Sequence, residues 1–366
     1  MAAVAHTGRT RPSWVLRNGR EEMHAVSILS PSFLATGSVG GTLQVWRCKT
    51  RRVVATVAAA HGGESILTIA PTSANVTRFL THGRDGNIHF WEVLNDDEKD
   101  GGVVVQQVLT VCLGASGYGR ACVYRVSDQE RVLLAAPSEA RSCFQLYHVP
   151  EDGEASASLV FTSTVEAADK RGMLMALNIL DENHVVVGYE SGHACLHHVG
   201  RNEEVSCVEG HSDVLMCLDF VPWQGTKGDQ SNVRFKGFSG GSDKVLSVYT
   251  CETAPGADGS SGLTMAKIQS VDLPAPGVAQ IKVRPSDRRI VLVAGWDAQI
   301  RIFSVKRLRL LSVLSYHEGT VHDVAFSSAS FIGGLKQSDA DGKDGASPTD
   351  YFFSAAKDGR VACWRF

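Results

Sequence analysis

The apolar and polar positions of this chain repeat one short signature: an apolar residue, any residue, a second apolar residue, then an aromatic or a stand-in for one. Seven copies occur, ending at Trp46, Trp91, Tyr147, His197, Tyr249, Phe303 and Trp364. Leu43-Gln44-Val45-Trp46 and Val361-Ala362-Cys363-Trp364 are the first and last of them. The terminal residues are spaced by 45, 56, 50, 52, 54 and 61 positions, which matches four-stranded units with loop insertions. Upstream of the copies lie further apolar or β-branched runs that read as second strands, among them Phe33 to Thr36, Phe79 to Thr81, Val132 to Ala136, Val185 to Val187 and Ile290 to Ala294. The pattern predicts an all-β chain, one body over residues 1–366, built as a seven-bladed WD-repeat β-propeller.

The chain stops at Phe366, two residues after the last signature, so the seventh blade needs an outer strand from elsewhere. Trp14 to Arg17 precede the first strand of blade 1 and are expected to supply it, closing the ring and removing an exposed sheet edge.

Polar residues recur at fixed offsets from the terminal aromatic. Six positions before it stand Asp85, Asp243, Asp297 and Asp358; ten positions before it stand Thr36, Thr81, Ser239 and Ser354. His61, His211 and His317 open blades 2, 5 and 7. A nucleophile, a base and an orienting carboxylate invite a hydrolase reading. The repetition argues against it, since a catalytic set is needed once, and no Gly-x-Ser-x-Gly elbow is present. The expected role is structural: three buried hydrogen-bonded chains, His61/Thr81/Asp85/Trp91, His211/Ser239/Asp243/Tyr249 and His317/Ser354/Asp358/Trp364. Blade 3 departs from the pattern, with Pro137 in the hydroxyl position and no turn aspartate.

Composition narrows the class without changing the fold. Apolar residues make up 43% of the chain, enough for a proper core. A net charge of -3 disfavours direct nucleic-acid binding. With neither a membrane-length apolar run nor a signal-peptide pattern at its start, the chain is expected to be soluble and intracellular, with no membrane partner. The nine cysteines include no Cys-x-x-Cys pair and are expected to be free buried thiols in a reducing compartment. His193, Cys195 and His197 share one strand face, a spacing that zinc can use, but a fourth ligand is not evident and packed neighbours are the expected environment. No phosphate-binding loop is present. No catalytic residue, cofactor or metal is assigned.

At Ala294-Gly295-Trp296-Asp297-Ala298-Gln299-Ile300-Arg301-Ile302-Phe303 the chain goes beyond a generic blade. Together with Trp14-Val15-Leu16-Arg17, His82-Gly83-Arg84-Asp85-Gly86, Gly188-Tyr189-Glu190-Ser191-Gly192, Pro276-Gly277 and Val283-Arg284-Pro285, this stretch resembles the family of ASTRA-associated protein 1, described in animals as guanine nucleotide-binding protein beta-subunit-like protein 1. The resemblance implies a non-enzymatic adaptor, a subunit of the chromatin-associated ASTRA complex. It further implies work with the Tel2–Tti assembly of helical-repeat proteins in maturing phosphatidylinositol-3-kinase-related kinases, in nucleus and cytoplasm. The alternative is a generic propeller adaptor in G-protein-like signalling or ubiquitin-ligase substrate recognition. A true G-protein β subunit is disfavoured, because no heptad pattern precedes Trp14.

In a propeller, the turn between second and third strands and the link into the next blade share one face. The polar stretches Asn95 to Gly102, Glu151 to Ala157, Gln224 to Asn232, Ala254 to Gly262 and Ser327 to Asp350 all fall in loops of the opposite face. The turn face is left less encumbered, and Arg84, Glu190, Ser242, Trp296 and Lys357 are its candidate partner-binding residues. Trp296 either anchors a partner or packs on the adjacent blade.

Overall fold

The computed structural model describes residues 11–17, 19, 21–72, 78–96, 102–115, 117–126, 131–150, 157–164, 170–223, 232–255, 261–327 and 351–365. The central parts of four of the five polar stretches, and nearly all of Ser327 to Asp350, lie outside these residues. Third and outer strands extend into two of the stretches. The third strand of blade 2 runs Asn87–Asp96 and its outer strand starts at Gly102; in blade 5 the corresponding strands are Val245–Pro255 and Ser261–Asp272.

Seven four-stranded antiparallel sheets form the molecule. Blades 1 to 6 span residues 23–57, 66–112, 122–162, 174–209, 215–272 and 278–315, each strand pairing with the next in sequence. Blade 7 takes three strands from residues 321–365 and its outer strand from Trp14–Arg17, in register Trp14 to Cys363 and Arg17 to Arg360. The innermost strands of neighbouring blades lie side by side around the ring, including those of blades 7 and 1. Each of the seven signatures falls on a third strand.

Burial explains why the strands read as they do. A middle strand is covered on both faces by neighbouring blades, so Ile290–Gly295 is buried throughout and carries an unbroken apolar run. Outer strands face solvent, and Ser158–Thr162 is largely exposed. The apolar side chains sort into seven clusters, one at each junction between adjacent blades, including the junction of blades 7 and 1 where Trp14 and Leu16 pack with Trp46 and Phe353. Close approach at these junctions selects small residues. A Cβ on Gly240 would stand 2.5 Å from Val278 of the next blade, and one on Gly188 would stand 2.3 Å from Leu215. Among the described residues no helix is long and apolar enough to cross a membrane.

One expectation fails. Cys195 and Cys207 sit directly opposite on the third and outer strands of blade 4, with Cα atoms 4.0 Å apart, and are joined as a disulfide, leaving seven free thiols rather than nine. Twelve residues separate them in sequence; only the strand register brings them together.

Candidate interaction site

The repeated polar residues meet as three chains of hydrogen bonds. In blade 2, Trp91 Nε1–H donates to Thr81 Oγ1 at 2.8 Å, Thr81 lies 2.7 Å from His61 Nε2, and His61 Nδ1 lies 2.9 Å from Asp85. Tryptophan can only donate and an ionised aspartate only accept, so the order is fixed: Thr81 O–H donates to Nε2 and His61 Nδ1–H donates to Asp85. Blade 7 repeats the arrangement through Trp364, Ser354, His317 and Asp358. In blade 5, Tyr249 OH, Ser239, His211 and Asp243 follow one another at 2.9, 2.7 and 2.9 Å.

Each chain ties a blade's entering link, its second strand and its tight turn together. Asp85 also accepts from the Asn87 N–H, and Asp358 from the N–H groups of Glu318 and Arg360. Burial opposes ionisation of Asp358, yet its hydrogen bonds, with His317 first, hold the carboxyl below the ordinary aspartate range. Burial likewise pushes His61 and His211 down against the pull of their aspartates, favouring neutral rings. The bonding order matches that of a hydrolytic triad. The hydroxyls of that set are sealed, however: Thr81, Ser239 and Ser354 have no exposed surface. A nucleophile that no substrate can touch pins a turn instead.

Asp297 is solved differently. Blade 6 has Val293 where blades 1, 2, 5 and 7 carry a hydroxyl, and Arg301 of the same blade closes on the Asp297 carboxylate through both terminal nitrogens. Arg301 is only 5% exposed. Sequence reasoning passed over it because it occupies the variable position of the signature.

The residue after each tight turn's second strand, seven positions before the terminal aromatic, has a common geometry. Its backbone N–H donates to the link entering the same blade: Arg84 to Ser65, Glu190 to Met173, Ser242 to Val214, Trp296 to Gly277 and Lys357 to Thr320, at 2.8 to 2.9 Å. Val39 in blade 1 does the same to Glu22 at 3.0 Å. These backbone bonds point the side chains out of the turn face. Arg84, Glu190, Trp296 and Lys357 are exposed and Ser242 is half-buried. The five candidate residues thus share a face but are spread around the ring and make no common pocket.

Trp296 is partly covered and partly exposed. One face of its indole lies on the backbone of Gly277, where a Cβ would stand 2.2 Å from the ring, and the residue is still 42% exposed. The Arg84 guanidinium lies 4.5 Å over the ring of Tyr118, which is 47% exposed. Sequence reasoning missed Tyr118, which stands in the link between blades 2 and 3.

Inside the ring runs a cavity of about 410 Å³. Its charged lining is internally engaged: Lys282 pairs with Asp219 at 3.3 Å, while Asp323 accepts from Gln280 and the Val26 N–H and lies 3.6 Å from Arg120; Thr68 Oγ1 and Asn178 Oδ1, also in the lining, have no hydrogen-bond partner among the described residues. On the turn-face side of the cavity His24 and His322 meet edge to face at 4.5 Å; Ser65 bonds His24, and Glu22 bonds His322.

Among the described residues, two groups of side chains have donor spacing that suits a metal, His61/Asp85/His89 and Cys195/Glu204/Cys207. Both ring nitrogens of His61 are already taken, by Asp85 and Thr81. In the second group the sulfurs are bonded to each other and Glu204 is held by Arg171. Of the strand face noted in sequence, His193 bonds Ser191, and His197 is buried beside Tyr189 and Phe144.

No known family model matches the chain. Individual proteins do. A mouse protein named guanine nucleotide-binding protein subunit beta-like protein 1 is 28% identical, over 87% of this chain and 90% of its own length. ASTRA-associated protein 1 of Aspergillus niger is 24% identical over 93% of this chain and 86% of its own, and the protein of that name from Penicillium rubens is 22% identical over 96% of each. The seven sheets make the chain a seven-bladed β-propeller, consistent with WD repeats, and it is similar along most of its length to the proteins named ASTRA-associated protein 1 and to guanine nucleotide-binding protein subunit beta-like protein 1.

Proposed function

We propose that this propeller is a non-enzymatic adaptor that holds a protein partner on its turn face, as a subunit of the chromatin-associated ASTRA complex in nucleus and cytoplasm. Its working partners in this reading are Tel2–Tti-type helical-repeat proteins, and its task is the maturation of phosphatidylinositol-3-kinase-related kinases. The observation that carries the adaptor reading is the turn face itself. Six blades present an outward side chain from one rigidly bonded position, while the hydroxyls of the recurring His/hydroxyl/Asp sets are sealed from any substrate. The names of the fungal relatives support the choice of complex.

Affinity purification of the tagged full-length chain tests this. Tel2 and Tti-type proteins should co-purify, and depletion should lower steady-state levels of the related kinases without changing their transcripts. Recovery of G-protein γ chains or a ubiquitin-ligase core, without kinase-maturation factors, would overturn the assignment in favour of a generic adaptor.

A further inference from the structure

The turn face is not uniform around the ring. From blade 6 through blades 7 and 1 to blade 2, the outward position is Trp296, Lys357, Val39 and Arg84 in turn. Val39 is 39% exposed, and Tyr118 extends the arc beneath the Arg84 guanidinium. On blades 3, 4 and 5 the same position is Ala140, Glu190 and Ser242, with exposed Glu139 beside Ala140. At this position one arc is aromatic, aliphatic and cationic and the other small, acidic and polar, although the exposed cations Arg141 and Lys244 stand in the turns of the second.

Three carboxylates along the first arc are paired with groups of this chain, Glu318 while still largely exposed. Glu21 accepts hydrogen bonds from Ser38 and Thr42, Glu22 bonds His322, and Glu318 accepts from Arg360. Glu64 is exposed between blades 1 and 2 and marks where an acidic ligand could not lie. The resulting field reaches the histidines at the cavity mouth. Burial, then Arg120, His322 and Arg84, push His24 down to about 3, and burial lowers His322 with Arg120 and Lys357 acting in the same direction against Glu22. Those rings are therefore neutral near pH 7, and with Arg120 turned to Asp323 and the His322 carbonyl, Arg84 and Lys357 are the exposed cations of the arc's outward positions.

We infer that this arc docks an acidic segment of a partner protein that carries an aromatic or aliphatic anchor. The anchor packs beside Trp296, and the acidic residues run from there past Lys357 toward Arg84. Exposed aromatic surface beside fixed cations gives such a segment both desolvated contact and charge complementarity. The inference rests on the turn-face adaptor reading and narrows it to one half of the ring and one chemistry.

Selection of a random linear peptide library on the full-length chain, followed by anisotropy titration of the winning peptide, tests it. The winners should combine Asp and Glu with Leu, Phe or Trp, and their affinity should weaken as salt is raised. Joint reversal at the two exposed cations, Arg84→Glu with Lys357→Glu, should lower affinity about tenfold or more, and so should Trp296→Ala. Glu190→Lys on the opposite arc should leave it within about twofold. The cation reversals do not depend on the packing of Trp296 against Gly277, so the test survives a misfolded Trp296 variant. Enrichment of basic or uncharged peptides, no enrichment, or an unchanged affinity after cation reversal overturns the inference. So does displacement of the peptide by duplex DNA as effective as displacement by the peptide itself, which would make the arc a general polyanion surface. If purified partners are lost from the Glu190→Lys variant but kept by the cation reversal, the adaptor reading stands and this arc falls; if no turn-face change matters, both fall.

Discussion

Blade 7 and blade 3 make the same four antiparallel strands from different chemistry. In blade 7, Trp364, Ser354, His317 and Asp358 form a buried chain that ends on the backbone of the turn, and the outer strand comes from the other end of the sequence. Blade 3 has Pro137 and Arg141 in the hydroxyl and aspartate positions. Its Tyr147 OH donates to Gln145, and its turn closes through Cys143 N–H to the Ala140 carbonyl and the Ser138 hydroxyl to the same oxygen. Both blades nevertheless bury their middle strands in the clusters shared with their neighbours. The sheet is thus made by apolar burial between blades, and the polar chain adds a specific tie between link, strand and turn.

Four perturbations would break or sharpen this comparison. Removing residues 1–20 takes from blade 7 a strand that buries Trp14 and Leu16 and leaves the edge of Arg360–Arg365 unpaired. Losing one large aromatic and one leucine from a core costs about 5 kcal/mol or more, so the melting temperature should drop by at least about 5 °C in calorimetry. An unchanged transition would show that ring closure lies elsewhere.

Acid comes next. Burial depresses His82 and His197 to about 4 and His24 to about 3, and lowers His61 and His211 as well. A histidine held below its unfolded value favours the folded state fully above about pH 6.5, and that stability is lost as pH falls from there toward the folded pKa. Each such histidine contributes up to about 1.4 kcal/mol per pH unit to the slope. Blade 6 contains no histidine. Hydrogen exchange at pH 5 against pH 7 should show loosening in blades 1, 2, 4 and 5 before blade 6; uniform loosening would contradict this ordering.

Asp358→Ala should cost about 1 to 3 kcal/mol in denaturant titrations, because His317 and two backbone N–H groups lose their acceptor. Asp85→Ala should behave alike in blade 2. A variant that kept its stability and lost a hydrolytic activity would reopen the enzyme reading. The smallest effect belongs to blade 3, where Gln145→Ala removes one partly buried hydrogen bond and should cost about 1 kcal/mol or less. An equal cost at Gln145 and Asp358 would mean that the two blades are tied in the same way after all.

How much was legible from sequence follows from the range over which each feature is encoded. The signature, its second strands and the turn aspartates are local and periodic, so seven blades and the closing strand from Trp14 could be read without coordinates. The three polar chains were legible for the same reason, since each residue keeps a fixed offset within one repeat. Arg301 uses the variable position of the signature, so the partner of Asp297, whose turn offset was legible, was not. The pairing of Cys195 with Cys207 needed the register of two strands around a bulge, which thiol count and spacing do not carry. Trp296 half-covered by Gly277, and Tyr118 beneath Arg84, depend on how a link from one blade lies against the turn of the next. Repetition along the chain determined the propeller, because each blade buries its apolar faces against a neighbour of the same pattern. Only the closed ring decided which outward side chains stand together, because neighbours on the turn face come from different blades, and no offset within a repeat relates them.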